Sequence, residues 1–343
     1  MGPYTKKLEK KFSRYAGTKY AAATSSCTSA LEIVLKYINI KEKEVIVPAN
    51  TFIACPNSVI YAGGKVVFSE TKKESFCLDY DDVLKKITRK TKAIMAVHLA
   101  GLPVPQIEKL ARFCKKKKIF LIEDGSHAHG AEIGGKKVGS IGDAGCFSFY
   151  PTKIMTTGIG GMITSNNKKL IDFAKGVRHH GQGESLDSIV NLGNDWLMSE
   201  ISAVLGLYQL KNLEKNIRKR NKIAERYIRR IARIKGISCF SPSSGVRHSY
   251  YKFLAFLDKR INKKKLLKAM EGRGIEAGTL YPMPCYLQPA YRKLGFKKGL
   301  CPVTEEILSR QISLPVFVEM TGRQTNYVLY CLEKEINKIL KLK

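Results

Sequence analysis

The chain has 343 residues, with 60 Lys+Arg against 29 Asp+Glu and a formal net charge of +31. That length favours two domains with full-sized cores, and no run approaches the roughly 18 consecutive apolar residues of a membrane helix. The charge favours anionic partners (nucleic acid, anionic lipid or nucleotide-linked substrates), but the cations are dispersed in short runs without the interleaved aromatics of a single-strand binder.

In chain order, small polar residues at 25–29 (S-S-C-T-S) precede a helix expected over 30–38. Such a helix start either presents backbone N–H groups to an anion or simply caps itself. Short apolar strands are expected at 44–47, 66–68, 93–97 and 119–122, with an amphipathic helix at 107–116. That alternation implies an α/β fold with a largely parallel sheet covered by helices. A long helical pattern at 199–232 reads as a connector between two domains, expected at 1–220 and 221–343. Its Arg218-Lys219-Arg220 run is expected on the wet face. Strand character at 250–256, a helix at 263–271, a Pro-rich loop at 281–289 and a last helix at about 323–340 complete the pattern.

The chemistry concentrates between Leu121 and Gly161. Asp124 ends an apolar strand, so its carboxylate needs a partner. Lys153 follows Phe147, Phe149, Tyr150 and Pro151 and precedes Gly158, Gly160 and Gly161. Desolvation in such a setting lowers a lysine pKa and makes the amine nucleophilic. A buried acid, a phosphate-binding hydroxyl at Ser148 and a poised lysine are what pyridoxal 5'-phosphate requires. The lysine forms a Schiff base with its aldehyde, and the acid pairs with its ring nitrogen. Phe52, after the strand at 44–47, fits either a stacking role on a planar ring or a core role. His98 closes a strand and fits a substrate contact or a backbone-satisfied position equally. His127 and His129 lack a third nearby ligand, so no metal is expected. Nine scattered cysteines without a Cys-x-x-Cys pair, and an N-terminus without an apolar signal core, point to a reduced cytoplasmic enzyme.

These pieces occur in a familiar order: S-S-C-T-S-A-L, V-I-V-P-A-N-T-F, I-E-D-G-S-H-A-H-G, G-D-A-G-C-F-S-F-Y-P-T-K, R-H-H-G, M-S-E-I-S-A-V-L-G and Y-P-M-P-C-Y-L-Q-P-A-Y. From Gly2-Pro3-Tyr4 to Leu314-Pro315 the chain resembles the DegT/DnrJ/EryC1/StrS family of pyridoxal-phosphate-dependent sugar aminotransferases. The resemblance implies the type I aminotransferase fold. That fold is a mostly parallel seven-stranded sheet with helices on both faces and a smaller α+β C-terminal domain. It implies a homodimer with shared active sites, an amino-acid donor (usually glutamate) and a nucleotide-linked keto-sugar acceptor; the dispersed charge pattern argues against a nucleic-acid partner, and no membrane partner is expected. By that resemblance Lys153 carries the Schiff base and shuttles the proton, Asp124 pairs with the ring nitrogen, and Phe52 stacks on the ring. Ser148, Cys27 and Thr28 hold the phosphate, and His127 contacts the phenolic oxygen. His98, Tyr150, His180 and Tyr281 are candidate substrate contacts, with Arg178 and His179 beside His180 in a basic mouth.

Four departures from the family pattern stand out. The chain starts at the Gly-Pro motif, where relatives carry a preceding segment, so a substrate-gating piece is expected to be missing. Asp195 replaces an asparagine that reaches the neighbouring subunit's phosphate. Ile159 replaces a glutamate, and no histidine precedes the Tyr281 loop. Two alternatives share these motifs: the same chemistry on a non-sugar ketone such as a cyclitol, and a non-catalytic regulatory homologue.

Overall fold

The computed structural model describes residues 1–183, 185 and 187–341. Seven strands form the main sheet: β1 (Tyr20–Thr24), β2 (Glu44–Pro48), β3 (Lys65–Ser69), β4 (Thr91–Val97), β5 (Phe120–Asp124), β6 (Ala144–Ser148) and β7 (Gly161–Ser165). Their order is β1-β7-β6-β5-β4-β2-β3, parallel throughout except for β7. The inner strands are nearly continuous apolar runs because both faces are covered. The helices are α1 (Pro3–Ala16), α2 (Cys27–Tyr37), α3 (Ala54–Tyr61), α4 (Tyr80–Lys86), α5 (Ile107–Lys117) and α6 (Lys168–Val177). They continue with α7 (Glu200–Ile231), α8 (Lys263–Glu271), α9 (Pro289–Lys293), α10 (Pro302–Arg310) and α11 (Gly322–Leu340).

A second, antiparallel sheet combines β8 (Ile237–Cys239), β9 (Phe253–Leu257) and β10 (Gln311–Leu314). It has its own core, with Ala224, Tyr227 and Ile231 of α7 and Val328, Leu332 and Ile336 of α11 packed against it. The first half of α7 instead buries Ala203 and Leu213 beside α1 and β6. Where these environments meet, Arg220 is buried and its Nη1 donates to the carbonyls of Tyr250 (3.0 Å) and Val316 (2.9 Å). The expected wet face therefore holds for Arg218 and Lys219 but not for Arg220.

Two further local readings shift. The strand expected at 250–256 begins at Phe253, because Tyr250 takes a left-handed φ of 49° that no strand accommodates. The strand expected at 119–122 runs on through Asp124 and delivers that carboxylate at the sheet's C-terminal edge. The cationic helix α1 had no sequence-level expectation; Glu200 fastens its start by accepting from the Tyr4 and Thr5 amides (2.8 and 3.1 Å).

Candidate active site

In open α/β sheets, ligands bind beyond the carboxyl ends of the strands. Here the ends of β4, β5 and β6 (Val97, Asp124 and Ser148) meet the start of α2 around a cavity of about 570 Å³. Cys27, Thr28, Phe52, Asp124, His127, Ser148, Tyr150, Lys153 and Tyr281 all line it, as does Ile159.

The α2 end of the cavity is built by a reciprocal cap. The Ser29 amide donates to Ser26 Oγ, and the Ser26 amide donates to Ser29 Oγ, both at 3.1 Å. That cap fixes the first turn, so the backbone at Cys27 and Thr28 forms a positive wall suited to a phosphate. Gly161 on β7 abuts this turn: a Cβ there would stand 2.3 Å from the Ser26 carbonyl carbon and 2.7 Å from the Cys27 nitrogen. The glycine is thus a condition for the close approach of strand and helix start.

Asp124, almost fully buried, accepts from the Ser126 amide through Oδ1 and from the Cys55 thiol through Oδ2, both at 2.9 Å. Burial, together with the Asp124 charge, pushes the Cys55 thiol well above its ordinary range. The thiol therefore stays protonated and serves as a donor. A carboxylate so held, with apolar surroundings, is matched to a cationic ring nitrogen.

Lys153 places Nζ 4.7 Å from the ring centroid of Tyr251. Burial lowers the lysine pKa, and the nearby Asp124 charge offsets part of that effect. His127 is buried and its imidazole pKa is held well below the ordinary range, first by burial and then by Lys153. Its Nδ1 accepts from the Ala100 amide (3.3 Å), so the single proton of the neutral ring sits on Nε2. That nitrogen is 3.5 Å from the Tyr281 hydroxyl, and the ring stacks on Tyr251 at 4.3 Å. Phe52, 56% exposed, faces Tyr281 across 6.3 Å.

Several expected contacts lie elsewhere. His98 is fully buried, paired through Nε2 to Glu123 (3.0 Å) and accepting from the Val104 amide through Nδ1 (3.0 Å). Both nitrogens are engaged within the protein, and His98 does not line the cavity. Arg178 is buried against Glu9 and the Ala23 carbonyl rather than placed at a mouth. His180 and Asp195 are exposed and lie outside the cavity's lining. The backbone of His179 bridges to Asp195, holding both segments at one edge. Sequence reasoning missed Cys55, Tyr251 and Lys252. Tyr251 and Lys252 sat inside an apparent strand, S-Y-Y-K-F, and only the turn at Tyr250 reveals that they point to the cavity.

The start of α7 and the loop before it carry an exposed apolar surface. Ile201 (85% exposed), Val204, Leu205 and Tyr208 project from the first turns of α7, and Leu192 (93%) from the preceding loop.

The model of the DegT/DnrJ/EryC1/StrS aminotransferase family matches residues 1–333. The chain is 34% identical to an uncharacterised protein of Methanocaldococcus jannaschii, covering 98% of this chain and 91% of that one. It is 31% identical to a GDP-perosamine synthase of Vibrio cholerae, covering 98% and 92%. Among solved structures, Helicobacter pylori PseC, an aminotransferase involved in pseudoaminic acid biosynthesis, superposes with a TM-score of 0.93 at 26% identity, covering 98% and 92%.

Proposed function

Because the chain belongs to the DegT/DnrJ/EryC1/StrS aminotransferase family of pyridoxal-phosphate-dependent transaminases, we propose that it moves an amino group from an amino acid, with glutamate the expected donor, to a nucleotide-linked keto sugar. The observation that carries this reading is the convergence of Asp124, Lys153 and the capped start of α2 on one cavity. The acid, the amine and the anion site are set on rigid elements, and Gly161 leaves the room they need.

Bound there, pyridoxal phosphate supplies an aldehyde for the Lys153 amine and an electron-withdrawing ring. Asp124 keeps the ring nitrogen protonated, its own orientation fixed by Ser126 and Cys55. Phe52 covers one ring face. The α2 amides at Cys27 and Thr28, with Ser148, would hold the phosphate, and His127 would donate from Nε2 to the phenolic oxygen. Lys153 Nζ carries the proton removed from the substrate carbon, and its lowered pKa leaves more free amine near neutrality than an ordinary lysine has. Tyr150 and Tyr281 border the substrate space.

The apolar face of α7 supports a homodimer, and Asp195 at the exposed edge is assigned to the neighbour's phosphate site. The division into units at 1–220 and 221–343 falls at the buried Arg220. A cytoplasmic setting is favoured by nine unpaired cysteines. Similarity to the GDP-perosamine synthase of Vibrio cholerae supports the nucleotide-sugar acceptor. The test incubates the loaded enzyme and glutamate with a panel of nucleotide-linked keto sugars and cyclitol ketones. Formation of 2-oxoglutarate with a nucleotide sugar is expected; turnover confined to cyclitols would refute the acceptor assignment.

A further inference from the structure

A second groove, of about 470 Å³, shares no lining residue with the catalytic cavity. Arg226, Arg229 and Arg230 line it from the last turns of α7, Arg233 from the turn after that helix, and Asn326, Leu329 and Tyr330 from α11. Arg226, Arg229 and Arg230 stand at i, i+3 and i+4 on one face of the helix, and Arg233 follows in the turn just beyond its end. Like charges at that spacing repel one another. Among the described residues, Glu333 pairs with Arg230 nearby, and no carboxylate lines the groove itself.

Composition separates this groove from a generally basic surface. The chain holds 44 lysines and 16 arginines, yet every cation lining the groove is an arginine. A guanidinium is a planar fork suited to paired bonds with phosphate, whereas lysine acts as a point charge. A second observation concerns Gly322, the first residue of α11. A Cβ there would lie 2.0 Å from Arg226 Nη1. The bare glycine lets the guanidinium rest against the positive end of a 19-residue helix. The first amides of that helix are capped by Thr321 and Gln324, and its positive end adds to the potential of the neighbouring arginines.

Arg226 to Arg230 covers about 6 Å of helix axis, and Arg233 extends the cluster past the helix end. One phosphate engages only one or two such forks. Tyr330, 58% exposed, adds a ring face on the opposite wall. We propose that this groove binds a small molecule carrying a diphosphate or longer phosphate chain, at a site separate from the reaction.

The test titrates inorganic pyrophosphate, and in parallel a nucleoside diphosphate, into the cofactor-loaded enzyme by calorimetry at physiological ionic strength. Arg226→Ala/Arg229→Ala/Arg233→Ala is expected to weaken pyrophosphate binding at least about tenfold. The corresponding triple Lys variant keeps the charge and is expected to weaken it severalfold. Lys115→Ala/Lys116→Ala/Lys117→Ala, on exposed α5 positions, is expected to change it less than about twofold. Tighter binding of the nucleoside diphosphate that Tyr330→Ala abolishes identifies a nucleotide as the source; equal binding identifies a bare phosphate chain. Unchanged affinity in the triple Ala variant, full retention in the triple Lys variant, or an equal loss in the α5 control would overturn the proposal. Transaminase activity of the triple variants is expected to match the parent, so this outcome is independent of the reaction assigned above.

Discussion

Replacing Gly161 with alanine probes the junction of β7 with the start of α2. The added Cβ meets backbone on the far side: the Ser26 carbonyl carbon at 2.3 Å, its oxygen at 2.4 Å and the Cys27 nitrogen at 2.7 Å. Ordinary carbon contact needs about 3.5 Å, so strand and helix start must part by about 1 Å. No side chain can rotate to relieve this. Overpacking of that kind costs about 1–3 kcal/mol of stability. A shift of about 1 Å in groups that position a ligand costs on the order of 100-fold. The expected result is a 10- to 100-fold rise in the dissociation constant for pyridoxal phosphate, by roughly these figures, measured by equilibrium dialysis on folded protein. Gly158→Ala is the control. Gly158 has a φ of 78° with nothing within 4 Å, so alanine there costs about 1 kcal/mol of backbone strain and leaves cofactor affinity unchanged. Cofactor affinity within twofold of the parent for Gly161→Ala would refute the reasoning.

Burial depresses His129 and His248 from 6.5 to about 3, so both remain neutral in the folded chain while the unfolded chain protonates them below about 6.5. The unfolded state then binds more protons, and stability falls as pH drops through 6.5 toward 3. Moving from pH 8 to pH 5 costs about 2 kcal/mol per histidine, which a urea midpoint measured at both values will show; a flat midpoint would contradict the burial. Tyr251→Leu removes the ring under Lys153 and beside His127 and is expected to slow transamination about fivefold, a cation–π contact being worth about 1 kcal/mol. Tyr251→Phe keeps the ring and should stay close to the parent, and equal losses in both would assign the effect to the Thr152 hydrogen bond instead. Ile201→Asp, on the exposed apolar face of α7, is expected to shift sedimentation from dimer to monomer at a concentration where the parent is dimeric; an unchanged dimer would place the interface elsewhere.

Much of this site is legible in the sequence because chemistry and element boundaries coincide there. Asp124, Ser148 and the Ser26–Ser29 cap each sit where an apolar run ends or a helix begins, and ends of elements are visible as pattern changes. Lys153 was singled out among 44 lysines by its aromatic and glycine neighbours, and the fold places it in the cavity. What stayed hidden depends on distant contacts. His98 fits a substrate contact or a satisfied strand end equally from sequence, because its partner Glu123 comes from the adjacent strand β5. Arg178 pairs with Glu9 across 169 positions, which no local pattern announces. Cys55 and Tyr251 reach the site only through a turn of α3 and a left-handed residue, and neither leaves a periodic signal.

The most direct test of the central claim is the visible absorbance of the purified protein with pyridoxal phosphate, recorded before and after glutamate, in the parent and in Lys153→Ala. A lysine-bound cofactor band is expected in the parent, converted by glutamate to the pyridoxamine form with 2-oxoglutarate released in equal amount. No such lysine-bound band is expected in Lys153→Ala. A parent that forms no such band, or a variant with the parent's spectrum and response, would contradict the assignment of Lys153 and of the reaction built on it.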